Sequence, residues 1–525
     1  MAKGESREGE AAGRPSRRRF LVTGARATAA VVASTFGAPR DARGASPAPS
    51  HGGSAGRDRT SSLAPVSYEL RLAPDEFLPA GQAVPGMLVN GSFPASEIRF
   101  REGFLLRVQV ASTLAEPTAI HWHGLSVPNP MDGVIGATQL PLEAGTVGVY
   151  EIPAREPGTF WYHSTEGLQR QLGIAGALVI EEKEDPFDVD RDAVLFLSDW
   201  PAEPPAEIVA RLAAAGPSPT ASPASSGSPP RSIHALPDGS PFPTDVSFTG
   251  FALNGRSYRN AWTVSAKEGS RLRFRIVNGS AQTFFRFRIE GHALEVVAAD
   301  GRRVEPVVVD DLVVATGERY DALVTVGKSG SYTIRAVALG QSGGAVGVLH
   351  TPDAKAVVAT APPVWGDRHL RYEQLRALEP TTLPDGPLRE LRMKLAERSP
   401  AYRFTVNGAS YPGLLAPDGT VEPLRIQPGE RVRLEIENAT RFFQPMHLHG
   451  HAFRLLASDG AAYGGDAGTA SERAPRKDTV AVAPGGKVRI ELLADNPGRW
   501  LLESMALYRR QAGLAGALQY VVVAE

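Results

Sequence analysis

The sequence predicts an all-β protein built from three copies of one β-sandwich domain. Three observations carry that prediction. A chain of 525 residues is too long for a single hydrophobic core, and its length suggests three or four domains. Short runs alternate polar and apolar residues, as in Arg107-Val108-Gln109-Val110, between frequent Gly and Pro breaks, which is the period of a half-buried strand. A pattern of Gly followed by alternating apolar residues occurs at Gly103 to Val110, Gly269 to Ile276 and Gly429 to Ile436. The copies start 166 and 160 residues apart (269 − 103 and 429 − 269). Each is preceded by an Asn-Gly turn, at Asn90-Gly91, Asn254-Gly255 and Asn407-Gly408. Each is followed by Gly-x-aromatic opening another strand, at Gly158-Thr159-Phe160, Gly330-Ser331-Tyr332 and Gly498-Arg499-Trp500. So long a period with two-residue alternation inside it is the signature of a repeated sandwich.

The repeat sets the expected domain limits at 65–185, 186–353 and 384–525. A Pro/Ser/Ala-rich stretch at 202–244 reads as a long loop inserted near the start of the middle domain, and 354–383 as a Pro-containing linker. Residues 1–45 read as a twin-arginine export signal. Ser16-Arg17-Arg18-Arg19-Phe20-Leu21 precedes an uncharged Ala/Val run from Val22 to about Ala38, too short and Ala-rich for a membrane span. Residues 46–64 read as an unstructured Ser/Gly/Pro/Arg-rich spacer. The expected location is therefore the periplasm or the cell exterior, with no transmembrane segment once the signal is removed. A net charge of −1 argues against a nucleic-acid partner or a polybasic membrane patch. The chain has no cysteine, which excludes disulfides, Cys-ligated zinc, iron–sulfur clusters and thiolate-bound copper.

The repeat also puts histidines in register. Eighteen residues beyond Gly103 lies His121 and eighteen beyond Gly429 lies His447, within His121-Trp122-His123-Gly124 and His447-Leu448-His449-Gly450. The same count in the middle repeat reaches Phe287, with Ile289 in place of a second imidazole. Residues i and i+2 of a strand share a face, so each His-x-His presents two imidazoles together. Four imidazoles from the first and last repeats suggest a metal site between those domains. Farther along, Phe160 to Thr165 lies 13 residues before Gly173 to Leu178, and Trp500 to Met505 lies 13 before Gly513 to Leu518. Without gaps, His163 aligns with Glu503, Ser164 with Ser504 and Thr165 with Met505.

Together with Met131-Asp132-Gly133-Val134, Trp161-Tyr162-His163-Ser164, Arg476-Lys477-Asp478-Thr479-Val480, Gln444-Pro445-Met446-His447 and the stretch from Asp310 to Val326, these motifs resemble the bacterial multicopper oxidases. The likeness is to their periplasmic copper-resistance and laccase-like members, and it spans the whole chain after the signal. The resemblance implies three cupredoxin-like (plastocyanin-like) Greek-key domains, a type 1 copper in the last, and a trinuclear cluster between the first and last. The type 2 pair matches at His121 and His447. One type 3 copper keeps His123 and His163 but meets Met505 for its third His. The other keeps His449, with Thr165 and Glu503 in place of its other ligands. The type 1 positions hold Gln444, Ser504, Arg509 and Leu514, so half of the family's histidines and its cysteine are missing.

A Ser hydroxyl does not replace the thiolate of a blue-copper site, and Arg509 is a permanent cation where a ligand is expected. Laccase-type turnover is therefore not expected. What remains is a candidate site of His121, His123, His163, His447 and His449, assisted by Met505 or Glu503, for one or two copper ions, or zinc. Asp132 matches the carboxylate that relatives place near the type 2 copper and is the candidate for a proton relay. The partner implied is a metal ion or a small molecule. Two other readings stand beside this one: a metal-free cell-envelope assembly protein, and a residual copper-dependent oxidoreductase working at the remnant cluster. His451 reads as a supporting residue and His292 as core or surface. With only six Met, no Met-rich copper-collecting loop is present, which argues against bulk copper storage.

Overall fold

In each repeat the Asn-Gly pair makes the same turn. Asn90, Asn254 and Asn407 have φ of 52°, 51° and 52°, and the glycines that follow have φ of 66°, 70° and 86°. Two successive left-handed residues define the tight turn whose twist suits a strand pair, and Asn and Gly tolerate it best. The Asn254 amide also bridges Phe196 N–H and the Val194 carbonyl across the turn. The turns come from a computed structural model that describes residues 63–77, 84–215, 242–398, 402–458, 461–462 and 472–521. The export signal, most of the spacer and 216–241 of the Pro/Ser-rich insertion lie outside these residues.

Six sheets occur among the described residues, two for each repeat. In every repeat an early strand pairs in parallel with the alternating strand after the Gly, as Pro65–Leu72 does with Leu105–Ser112. A second parallel pair joins an early strand to the last one, as Trp262–Ser265 does with Gly347–His350. This double crossover is what makes each unit a Greek-key sandwich of the cupredoxin type. Along Arg431–Asn438 every second residue is buried, as one covered face requires. The matching middle strand, Arg271–Asn278, is buried on both faces because its outer face meets the first repeat. There Arg273 pairs with Asp321 at 2.7 Å and Glu182 at 3.3 Å, and Arg275 donates to Thr159 Oγ1 at 2.9 Å.

The strands Ile120–His123, Phe285–Ile289 and Gln444–Leu448 are equivalent members of the three repeats. Phe287 and Ile289 are fully buried, so the middle repeat uses this register for core packing where the others carry imidazoles. The insertion expected as a loop begins with a helix, α1 (Pro205–Ala215). Pro at its start, Glu207 in the first turn, and Ile208 and Leu212 one turn apart on its buried face explain the helix better than composition did. The expected linker at 354–383 also packs: Leu370, Tyr372 and Leu375 are buried, and Tyr372 donates to Glu318 at 2.5 Å. No described helix is long and apolar enough to cross a membrane.

Phe287→Ala removes a buried ring and should cost about 3–5 kcal/mol. A lowered thermal midpoint by calorimetry checks this, and an unchanged midpoint contradicts the core assignment.

Candidate metal centre

The Ile120–His123 strand runs antiparallel to Gly158–Ser164, which sets His121 opposite His163 and His123 opposite Trp161. In the last repeat, Gln444–Leu448 runs antiparallel to Arg499–Ser504, which sets His447 opposite Glu503. The two registers match, so His163 and Glu503 are structural counterparts. Where the two sandwiches meet, His123 and His447 stack at 3.6 Å, and His121 and His449 at 3.8 Å between ring centroids. The five rings are at most 2% exposed. The site thus gathers all five predicted imidazoles, with Asp132 and Glu503 beside them.

The backbone determines which ring nitrogens stay free. His121 Nδ1 faces the Asp132 carbonyl at 2.8 Å, and His447 Nδ1 faces the Asp478 carbonyl at 2.9 Å. A carbonyl only accepts, so both Nδ1 atoms carry the proton and both Nε2 atoms hold lone pairs. Those two Nε2 atoms lie 3.2 Å apart. A second pair is set by a carbonyl behind one ring and, behind the other, by a hydroxyl that accepts because its proton goes to Asp478 Oδ1. His163 Nδ1 donates to the Ser164 carbonyl at 3.0 Å, and His123 Nε2 meets Thr479 Oγ1 at 3.0 Å. This leaves His163 Nε2 and His123 Nδ1 facing at 3.5 Å. Burial depresses His447 to about 4 and holds His123 and His163 well below the ordinary imidazole range. All three are neutral at neutral pH, the form that ligates metals.

His449 differs. Its Nδ1 lies 3.0 Å from Asp132 Oδ2 and its Nε2 3.3 Å from Glu503 Oε1. Burial lowers its affinity for a proton, but the two carboxylates outweigh this and raise it to about 9. Glu503 in turn accepts from Arg510 Nε at 3.0 Å. Thr165 Oγ1 donates to the Gly133 carbonyl at 2.8 Å, and Met505 is buried in an apolar cluster with Trp161. Arg170, buried above Trp161, donates to the Met505 carbonyl at 2.6 Å.

A second cluster surrounds Ser504. Its Oγ donates to Gln444 Oε1 at 3.2 Å, and Gln444 Nε2 donates to Thr440 Oγ1 at 2.9 Å. Leu514 is fully buried. Arg509 binds Asp245 through Nε at 2.8 Å and Nη2 at 2.9 Å, donates to the Phe443 carbonyl at 3.0 Å, and lies 4.0 Å over the Phe442 ring. Tyr402 donates to Asp245 at 2.7 Å, and Gln282 donates to it as well. Asp245 lies immediately after the Pro/Ser-rich insertion, a partner that composition could not single out. Asp478, Thr479 and Arg319 were also missed as site residues, although they lie in motifs that carried the resemblance. His451 contacts the His449 carbonyl and the Tyr520 hydroxyl, which is a supporting position. His292 is nearly buried between the Glu290 carbonyl and Gly327 N–H.

Burial pushes Asp245 up, and Arg509 outweighs it, so the carboxylate sits below its usual range. Its contribution to stability is complete above the unfolded value of about 3.9 and is lost as pH falls through the lower folded value. Arg509→Met should therefore cost roughly 3–5 kcal/mol near neutrality. Denaturation at a series of pH values should show the gap to wild type narrowing on acidification, and a pH-independent gap would contradict the pairing.

Profiles of the multicopper oxidase family match residues 72–185, 191–354 and 391–522. The chain is 30% identical to multicopper oxidase MmcO of Mycobacterium tuberculosis over 89% of its own length and 88% of the relative's. It is 27% identical to copper resistance protein A of Escherichia coli, over 86% of this chain and 92% of that one. Among solved structures it resembles Fet3p, a multicopper oxidase that functions in iron import, with a TM-score of 0.72 at 21% identity, covering 87% of this chain and 90% of that one. The Botrytis aclada laccase gives a TM-score of 0.71 at 24% identity, covering 88% of each. These likenesses show a shared fold, and the profiles and relatives place the chain in the multicopper oxidase family.

Proposed function

We propose that this protein is an exported multicopper oxidase relative that binds copper between its first and third domains and has no type 1 copper. The observation that carries the reading is the pair of nitrogen pairs. Two lone pairs 3.2 Å apart repel and cannot hydrogen-bond to each other. A metal ion between them removes that conflict: with metal–nitrogen bonds of about 2.0 Å, two ligands of a tetrahedral ion sit about 3.3 Å apart. His121 and His447 fit one ion in this way, and His123 with His163 fit a second. The carbonyls behind His121, His447 and His163 fix the ring orientations, as supporting partners of metal-bound histidines do. Copper is the metal the family implies, and it would supply a one-electron couple. Zinc satisfies the same nitrogens.

Asp132 is proposed to orient water or relay protons beside the first pair. His449 completes the set of five, with Glu503 and Met505 as auxiliaries, although its nitrogens are already engaged by carboxylates. That engagement favours a second reading, a metal-free structural protein whose histidines are hydrogen-bonded remnants.

The type 1 position does not fit copper. It offers an amide, a hydroxyl, a buried leucine and a guanidinium already paired with Asp245, with no thiolate to carry the electron. Oxidation of organic donors through that site is therefore not part of the proposal. The domain limits 65–185, 186–353 and 384–525 and export through the twin-arginine pathway to the periplasm or beyond belong to the same reading, supported by the internal repeat and the Ser16 to Leu21 motif.

Metal analysis of the exported protein, with a visible spectrum on the same sample, tests the proposal. Copper without intense blue absorption is expected. His121→Ala with His447→Ala should weaken copper binding by more than about 100-fold, beyond the loss that supporting residues cause. Protein that stays metal-free after incubation with copper and zinc supports the structural reading instead.

A further inference from the structure

The middle domain contributes no imidazole, yet its turns reach the histidines. Gly317 lies so close that a Cβ there would sit 2.9 Å from Met505 Cγ and 3.3 Å from His123 Cε1, and its φ is +89°. Two residues on, Arg319 is fully buried and grips the fully buried Asp478 of the third domain. Arg319 Nη1 donates to Asp478 Oδ1 at 2.7 Å, and Nη2 donates to Oδ2 at 2.6 Å. Arg302, also from the middle domain, donates to Asp478 Oδ2 at 2.9 Å and to the carbonyl of Gly124 at 2.9 Å, next to His123. The backbone N–H groups of Asp478 and Thr479 point at Asp300 Oδ2 at 3.3 and 3.2 Å. The carboxylate is thus held by two guanidinium groups of the middle domain, and the backbone beside it by Asp300.

On the side facing the histidines the proton count is determined. Thr479 Oγ1 donates its one proton to Asp478 Oδ1 at 2.9 Å. The hydroxyl oxygen can then only accept, so the His123 Nε2 facing it at 3.0 Å must carry a proton. Asp478 Oδ1, 3.3 Å from the same nitrogen, enforces the choice. His447 is pinned the other way, because its Nδ1 donates to the Asp478 carbonyl. Two stacked rings therefore hold opposite tautomers, and each turns its lone pair toward a different partner.

We propose that Asp478, clamped by Arg319 and Arg302, is a positioning residue that assigns these opposite tautomers to His123 and His447. Through it the middle domain shapes both nitrogen pairs. The consequence for metal binding rests on the copper reading above; the tautomer assignment does not. Lysine cannot stand in for Arg319, because a point charge lacks the two parallel bonds of the guanidinium fork.

The test uses the full chain labelled with 15N-histidine. NMR of the metal-free protein reads the tautomers, and electron paramagnetic resonance with copper titration reads the loaded site. Wild type is expected to show a proton on Nε2 of His123 and on Nδ1 of His447. Asp478→Asn places an amide against the arginine donors, and Asp478→Asn with Thr479→Val removes the hydroxyl as well. Both should turn His123 into a tautomer mixture, lower copper affinity about 10- to 100-fold and alter the nitrogen hyperfine pattern. Arg319→Lys, the mildest change, should move the same readouts less. Arg273→Lys, at a buried ion pair that touches no histidine, should move only the thermal midpoint. If all variants merely lower the midpoint while tautomers and hyperfine pattern stay as in wild type, the role is structural and the proposal is overturned. If wild type binds no copper, the copper reading fails, and the NMR comparison still decides whether Asp478 sets the tautomers.

Discussion

The ion pair of Arg319 with Asp478 joins three domains at one point. Arg319 also donates to the Thr159 carbonyl of the first repeat at 3.2 Å and to its own Gly317 carbonyl at 3.0 Å. Burying two charges costs several kcal/mol for each, and mutual attraction repays it only where every remaining donor and acceptor is satisfied. The geometry meets that demand for one relative placement of the three sandwiches. A slide of about one ångström would strand a charge in a dry interface. Hydrophobic packing holds each sandwich together and also crosses between them, as where Phe284 and Val313 meet Phe443 and Ala481, and this polar contact adds a directional constraint beside the imidazoles.

The buried residues around the imidazoles obey the same rule. A polar residue buried there leaves donors or acceptors that need partners. Glu503 takes up Arg510 and His449, Thr165 the Gly133 carbonyl, and Ser504 the Gln444 amide. Met505 needs none and joins an apolar cluster. Each of these residues is partnered locally.

The fold was legible because it is written three times. Asn-Gly turns, the glycine before each alternating strand and the histidine register all recur, and repetition turns weak local signals into a strong one. Four of the five imidazoles were legible for the same reason, because their register places them without knowledge of distant contacts; His163, whose counterpart is Glu503, was legible only through the family resemblance. What escaped the sequence is the identity of the charged partners drawn from another repeat. Asp245 pairs with Arg509 across 264 residues, and Arg319 with Asp478 across 159. Neither distance has a local trace. The helix α1 was hidden for another reason, since Pro, Ser and Ala enrichment over 202–244 masked two well-spaced apolar residues.

The clamp of Arg509 on Asp245 also sets a direction for change. A cysteine at 504 alone would place a thiol against the Gln444 amide, while Arg509 stays committed to Asp245. Removing Arg509 alone would strand Asp245 and Tyr402 in a dry pocket. A change at Arg509 alone therefore passes through a less stable protein, and a paired change at Asp245 avoids it. The pair behaves as one unit: either member alone is a buried charge without its counterpart, so the two are best exchanged together.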